Sequence, residues 1–161
     1  LRADFKKMAE RVTDNKASIS ALQTENQTLK QQVQDLQRAT EAHGAKLDDL
    51  EGRSRRNNIR IRGVPEKAEG MATDLFVEDL VLKGLQPRGL SDHFTVERAH
   101  RVPGGRPKQG APPRTIIARI FNFRDRNVIL QEVRVAPPVK YDNATISFYP
   151  DFTLQVQQHK T

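Results

Sequence analysis

The stretch RSRRNNIRIRGVP, residues 53–65, is where the chain changes character. Before it the apolar residues recur every seven positions or so. Within it they alternate, Ile59 and Ile61 against Arg60 and Arg62, the period of a half-buried strand. The stretch holds five arginines and no acid. It reads as the joint between a helical stalk, residues 1–53, and a folded head, residues 54–150.

Toward the N-terminus, a heptad register with Phe5 at position a places Phe5, Val12, Ile19, Asn26, Val33, Thr40 and Leu47 at a. It places Leu1, Met8, Asn15, Leu22, Leu29, Leu36, His43 and Leu50 at d. Eleven of these fifteen are apolar, in one unbroken register with no proline before residue 65, which predicts a coiled coil. At 1.5 Å per residue such a stalk is a rod roughly 75 Å long. The rest of the chain is too small to cover it. In a parallel arrangement Glu25 meets Lys30 and Lys46 meets Glu51, against one repulsive pair, Arg11 and Lys16, so parallel pairing is favoured. Strand number stays open. β-Branched a residues with leucine at d argue for two chains. The run KLDDLE, residues 46–51, resembles a trimer signature, and Asn15 at d resembles the asparagine layers found on trimer axes. Asn15, Asn26 and His43 otherwise read as register control.

Toward the C-terminus, residues 58–64 form a strand ended by Gly63 and Pro65. Thr73 is a candidate N-cap for a helix to about Leu85, with an apolar face of Leu75, Phe76, Val77, Leu80, Val81 and Leu82 and a stop at Gly84 and Pro87. A second strand spans 94–100, and the Gly/Pro-rich run VPGGRPKQGAPP follows as a loop. A third strand spans 115–121. Asn122 caps a second helix with Asp125 as reciprocal cap and Ile129, Leu130 and Val133 buried. Residues 139–149 form a hairpin around Asp142 and Asn143 and contain the fourth strand. The order is βαββαβ, an α+β class, and the split arrangement used by RNA-recognition-motif domains.

Charge separates along the chain. Residues 1–50 balance to zero, 51–64 carry +4, 65–97 carry −4 and 98–119 carry +6, within a total of +7. Two basic blocks around an acidic segment point to one face built for a polyanion. With no cysteine, disulfides, thiolate metal sites and cysteine nucleophiles are excluded. No apolar run approaches a membrane span and no signal peptide is visible. Leu1 in place of a start methionine reads as a fragment. His43, His93, His100 and His159 lack metal-ligand spacing, and no nucleotide-loop, zinc-protease or nucleophile-elbow pattern occurs. The expectation is a protein with no catalytic residues, metal or cofactor.

If Ile59 and Ile61 face the helices, Asn58, Arg60 and Arg62 face outward, and Arg119 joins them from the third strand because an unpaired buried arginine is very costly. Phe121 is the one aromatic expected on that face, so binding rests on phosphate contacts and guanidinium stacking, with low sequence specificity. Arg98, Arg101, Arg106, Lys108 and Arg114 are expected to form a mobile clamp beside the sheet. Arg55 and Arg56 extend the surface at the stalk junction.

Three motifs, RSRRNNIRIRGVPE, ERAHRVP and PPRTIIARIFNFRDRNVIL, resemble in order the RNA-binding first-reading-frame protein of LINE-type retrotransposons, a family also called the LINE "transposase" domain. The resemblance covers most of residues 44–161. It implies a homotrimeric nucleic-acid chaperone that binds single-stranded RNA, and also single-stranded DNA. Such a protein coats the element's transcript in cytoplasmic particles, with a nuclear pool allowed for, and takes no part in membranes. It carries family binding residues onto Arg56, Asn58, Arg60, Arg101, Arg106, Lys108 and Arg114. It further implies that residues 151–161 begin a C-terminal domain, with YPDFTLQVQQHK in its first helix. The rival reading is a host scaffold that keeps the fold for protein contacts.

Overall fold

The computed structural model describes residues 1–153, and the chain divides into two compact units, Leu1–Leu47 and Asp48–Thr161. The expected boundary at residue 53 lies inside the second unit. The expected helix in 154–161 lies outside the described residues. The fold is α+β, a long N-terminal helix followed by a five-stranded antiparallel sheet with helices.

Helix α1 (Arg2–Arg55) supplies the first unit and, from Asp48 onward, the opening turns of the second. Its sequence is free of proline and rich in Ala, Leu, Gln, Lys and Glu, all strong helix formers. None of its residues is buried. The apolar a and d side chains of the first unit are all at least half exposed, from 50% at Leu29 to 94% at Leu1.

The second unit runs β1 (Asn58–Arg62), α2 (Thr73–Asp79), β2 (Val96–Arg101), β3 (Ile116–Ile120), α3 (Phe123–Val135), β4 (Val139–Tyr141) and β5 (Ala144–Pro150). The sheet order is β2-β3-β1-β5-β4. The alternation that marked β1 as a strand also makes it the centre. Ile59 and Ile61 pair with Ala118 and Ile116 on one side and with Pro150 and Phe148 on the other. Their side chains join Ile120, Ile146, Val77, Val81 and Ile129 in the core beneath α2 and α3. Each such aliphatic side chain contributes about 1.5–3 kcal/mol through burial.

One close approach sets β1 against β5, and one tight turn sets β4 against β5. Gly63 has φ of 93°, and a Cβ there would stand 2.2 Å from the Thr145 carbonyl oxygen, so only glycine allows the approach. The β4–β5 hairpin turns at Asp142 and Asn143, with φ of 49° and 66°, the sign that a two-residue type I′ turn requires at both positions.

Several local expectations are corrected. Ala72, with no side-chain hydrogen bond, precedes α2, and Thr73 lies inside it. The helix does reach Leu85, the expected end, and so runs past Gly84. It continues as a π-helical segment, Leu80–Leu85, and Gln86 ends it in the left-handed region at φ 49°. Gly84 serves packing instead, since a Cβ would meet Val139 Cγ1 at 2.9 Å. Leu75 and Leu82 are exposed. Asn122 does cap α3, accepting from the Arg124 N–H at 2.9 Å. Asp125 is no reciprocal cap. It is buried and accepts from the Ser91 N–H at 2.8 Å and the Ser91 hydroxyl at 2.6 Å, because two donors across the core outweigh one local bond. Leu130 and Val133 are half-buried against the core.

Candidate nucleic-acid interface

With Ile59, Ile61, Ile116, Ala118, Ile120, Ile146 and Phe148 turned to the helices, the alternate side chains form the opposite face. From β1 these are Asn58, Arg60 and Arg62, from β3 Ile117 and Arg119, and from β5 Ser147 and Tyr149. The register sets Arg119 beside Asn58, Tyr149 beside Arg60 and Ser147 beside Arg62. On β2, Arg98 lies opposite Arg119 and His100 opposite Ile117, after a bulge between Val96 and Arg98. The expected outward set is therefore on one face.

Its charges are partly spoken for. Asp151, just past β5, is 3% exposed in its side chain and draws in three groups. Asn58 Nδ2 donates to its Oδ2 at 3.1 Å, and the Arg55 and Arg60 guanidinium groups lie 3.7 and 3.8 Å from its Oδ1. Those last two separations are ion pairs without a hydrogen bond. Asn58 Oδ1, Arg60 Nε and Asp151 Oδ1 are buried and without hydrogen-bond partners. Arg119 Nε donates to Glu97 at 2.8 Å and its Nη1 to the Ser54 carbonyl at 3.2 Å. Arg62 has no carboxylate partner among the described residues; its guanidinium lies 5.2 Å from the Tyr149 ring centroid.

Arg56 stacks on the face of Phe123 at 3.9 Å, and Arg126 approaches the same ring at 5.8 Å. Burial, with Arg56 close by, draws the Arg126 pKa down from its ordinary value. These three residues line a groove of about 590 Å³ with Arg53, Asp48, Asp49, Asp151 and Phe152. Arg55, also expected at the surface, pairs with Glu51 and donates to the Phe152 carbonyl at 3.3 Å.

The expected mobile clamp is corrected at two positions. Arg101 is only 7% exposed in its side chain. Its guanidinium donates to both oxygens of Glu69 at 2.9 and 2.7 Å, and to the carbonyls of Val64, Pro65 and Arg114. A guanidinium so engaged has no donor to spare for a phosphate. Arg114 is held by Glu66, which accepts from its Nε and backbone N–H at 3.0 Å and from its Nη2 at 3.1 Å. The Arg114 bonds bring the Glu66 pKa down to about 2 from 4.5, and Arg101 likewise lowers that of Glu69. The two arginines rivet the ends of the 102–115 loop to the segment after β1. Arg98, Arg106 and Lys108 are exposed and without an ion pair among the described residues.

The sequence reading missed Tyr149, 46% exposed on this face, and named Phe121 instead. Phe121 is exposed too, but beyond the end of β3. The signal for Tyr149 was the alternation Ile146, Phe148, which sends residues 145, 147 and 149 the other way.

The chain is thus an α+β protein with an arginine-bearing sheet face and an uncovered apolar helix stripe. No family model matches it. It is 25% identical over 145 residues to LINE-1 type transposase domain-containing protein 1 of Mus musculus, a stretch that is 89% of this chain and 17% of that protein. The chain is thus similar, over most of its own length, to about a sixth of a protein named for a LINE-1 type transposase domain.

Proposed function

We propose that the chain is an RNA-binding protein of a LINE-type retrotransposon. In this reading it oligomerises through α1 as a parallel coiled coil, the trimer being the state the family resemblance favours. It binds single-stranded RNA, and single-stranded DNA, on the open face of an RNA-recognition-motif-like sheet, and acts as a nucleic-acid chaperone in ribonucleoprotein particles without enzymatic activity. The observation that carries the reading is the open face itself, with Arg60, Arg62, Arg98 and Arg119 on neighbouring strands and Arg106 and Lys108 on the adjoining loop. The helix stripe supports assembly, because apolar side chains this exposed gain by covering one another.

The test is binding of a single-stranded RNA by fluorescence anisotropy over a salt series. Affinity is expected to fall steeply with salt, by about 0.7 in log–log slope for each phosphate neutralised. Arg98→Ala with Arg106→Ala should weaken binding and flatten that slope. Salt-independent binding, or none, would favour the host-scaffold reading, in which the sheet serves protein contacts.

A further inference from the structure

We propose that Tyr149, with the Arg62 guanidinium over its ring at 5.2 Å from the centroid, is a stacking platform for one nucleobase of the bound strand. This deepens the RNA-binding reading and rests on it. The placement follows from β5. Ile146 and Phe148 are buried beneath the sheet, so Tyr149 stands on the uncovered face, opposite Arg60 on the central strand. An aromatic ring 46% exposed among arginines offers a π face to any base.

Comparison within the molecule supports a ligand role over a packing one. Tyr141, the other tyrosine, meets Phe76 edge-on, with ring centroids 5.3 Å apart and planes at 82°, against the core. Arg56 lies 3.9 Å from the Phe123 centroid, a closed stack, whereas Arg62 stands off Tyr149 at 5.2 Å. Arg60 and Arg119 each face a carboxylate, but Arg62 faces none among the described residues. A base can take the ring face as the Arg62 guanidinium, which no carboxylate among the described residues holds, moves from over the ring to the flanking phosphate. The ligand is therefore a single strand with unpaired bases, taken with little preference among them.

The chain has two tyrosines and no tryptophan, so its intrinsic fluorescence reports these two positions alone. The experiment titrates the full chain with a short oligouridylate and with an abasic phosphodiester strand of equal length, following anisotropy and tyrosine emission. Oligouridylate should quench the emission, and the quenching should persist in Tyr141→Phe and vanish in Tyr149→Phe. Tyr149→Leu should weaken oligouridylate binding about tenfold and leave abasic binding unchanged, with Tyr149→Phe within about twofold of the parent. Equal affinity of the parent for the two strands, or quenching that survives in Tyr149→Phe, would overturn the platform while leaving phosphate binding intact. Failure of the parent to bind either strand would overturn the RNA-binding reading, and the platform with it.

Discussion

Arg101 carries the same charge as Arg98, three residues before it, yet the two have opposite roles. Arg98 is bare, while Arg101 holds Glu69 and three backbone carbonyls in a site closed to solvent. Replacing Arg101 with methionine leaves the largely covered Glu69 carboxylate and three carbonyls without their donor, and we expect a loss of about 1–3 kcal/mol in urea unfolding. Removing Glu66 tests the other rivet through pH. Its folded pKa is about 2 against an ordinary 4.5, so its stabilising contribution is complete above pH 4.5 and fades as pH falls toward 2. Glu69 acts in the same sense. Glu66→Gln should flatten the acid side of the stability–pH curve, measured as the urea midpoint. Charge blocks in the sequence found the basic surface, but the sign of a residue does not name its partner. That is why the charge pattern did not foresee Arg101 held by Glu69 and Arg114 held by Glu66, while the alternation of β1 and β3 did foresee the face on which Arg60, Arg62 and Arg119 lie.

At the scale of elements, periodicity was the legible quantity. Period seven marked α1, and period two marked β1 and β3 together with the face each buries, because those patterns depend only on neighbours in sequence. What escaped depended on distant ones. Asp125 fits the local rule for a capping box, yet Ser91 claims it from across the core. Gly84 fits a helix stop, yet it lies within a π-helical segment against Val139. The heptad stripe carries its own prediction. Leu22→Asn with Leu29→Asn should leave the helix content of the chain reduced and convert an oligomer to a monomer in sedimentation equilibrium. An unchanged mass would show that another surface drives assembly.

For the whole molecule, the proposed assembly and the proposed RNA binding would be coupled by number. An oligomer presents several sheet faces to one strand, so rebinding becomes intramolecular. The same Leu22→Asn, Leu29→Asn variant should lose on the order of a hundredfold in affinity for a long RNA, and far less for a short one that reaches a single face. The carboxylates on the arginine-bearing face of the sheet bear on the proposed binding in a further way. Glu97 and Asp151 stand within reach of Arg119 and Arg60, so in the proposed RNA-binding reading an internal anion would replace a departing phosphate at these two positions. At these two arginines a contact with RNA would be an exchange between two anions, unlike at Arg62, Arg98, Arg106 and Lys108, which have no ion pair among the described residues. The expected consequence is kinetic: Glu97→Gln should slow RNA release in stopped-flow competition, even as it tightens binding. In the proposed reading the acids on the face would work as built-in eluents, leaving a strand held at many points free to slide and re-pair.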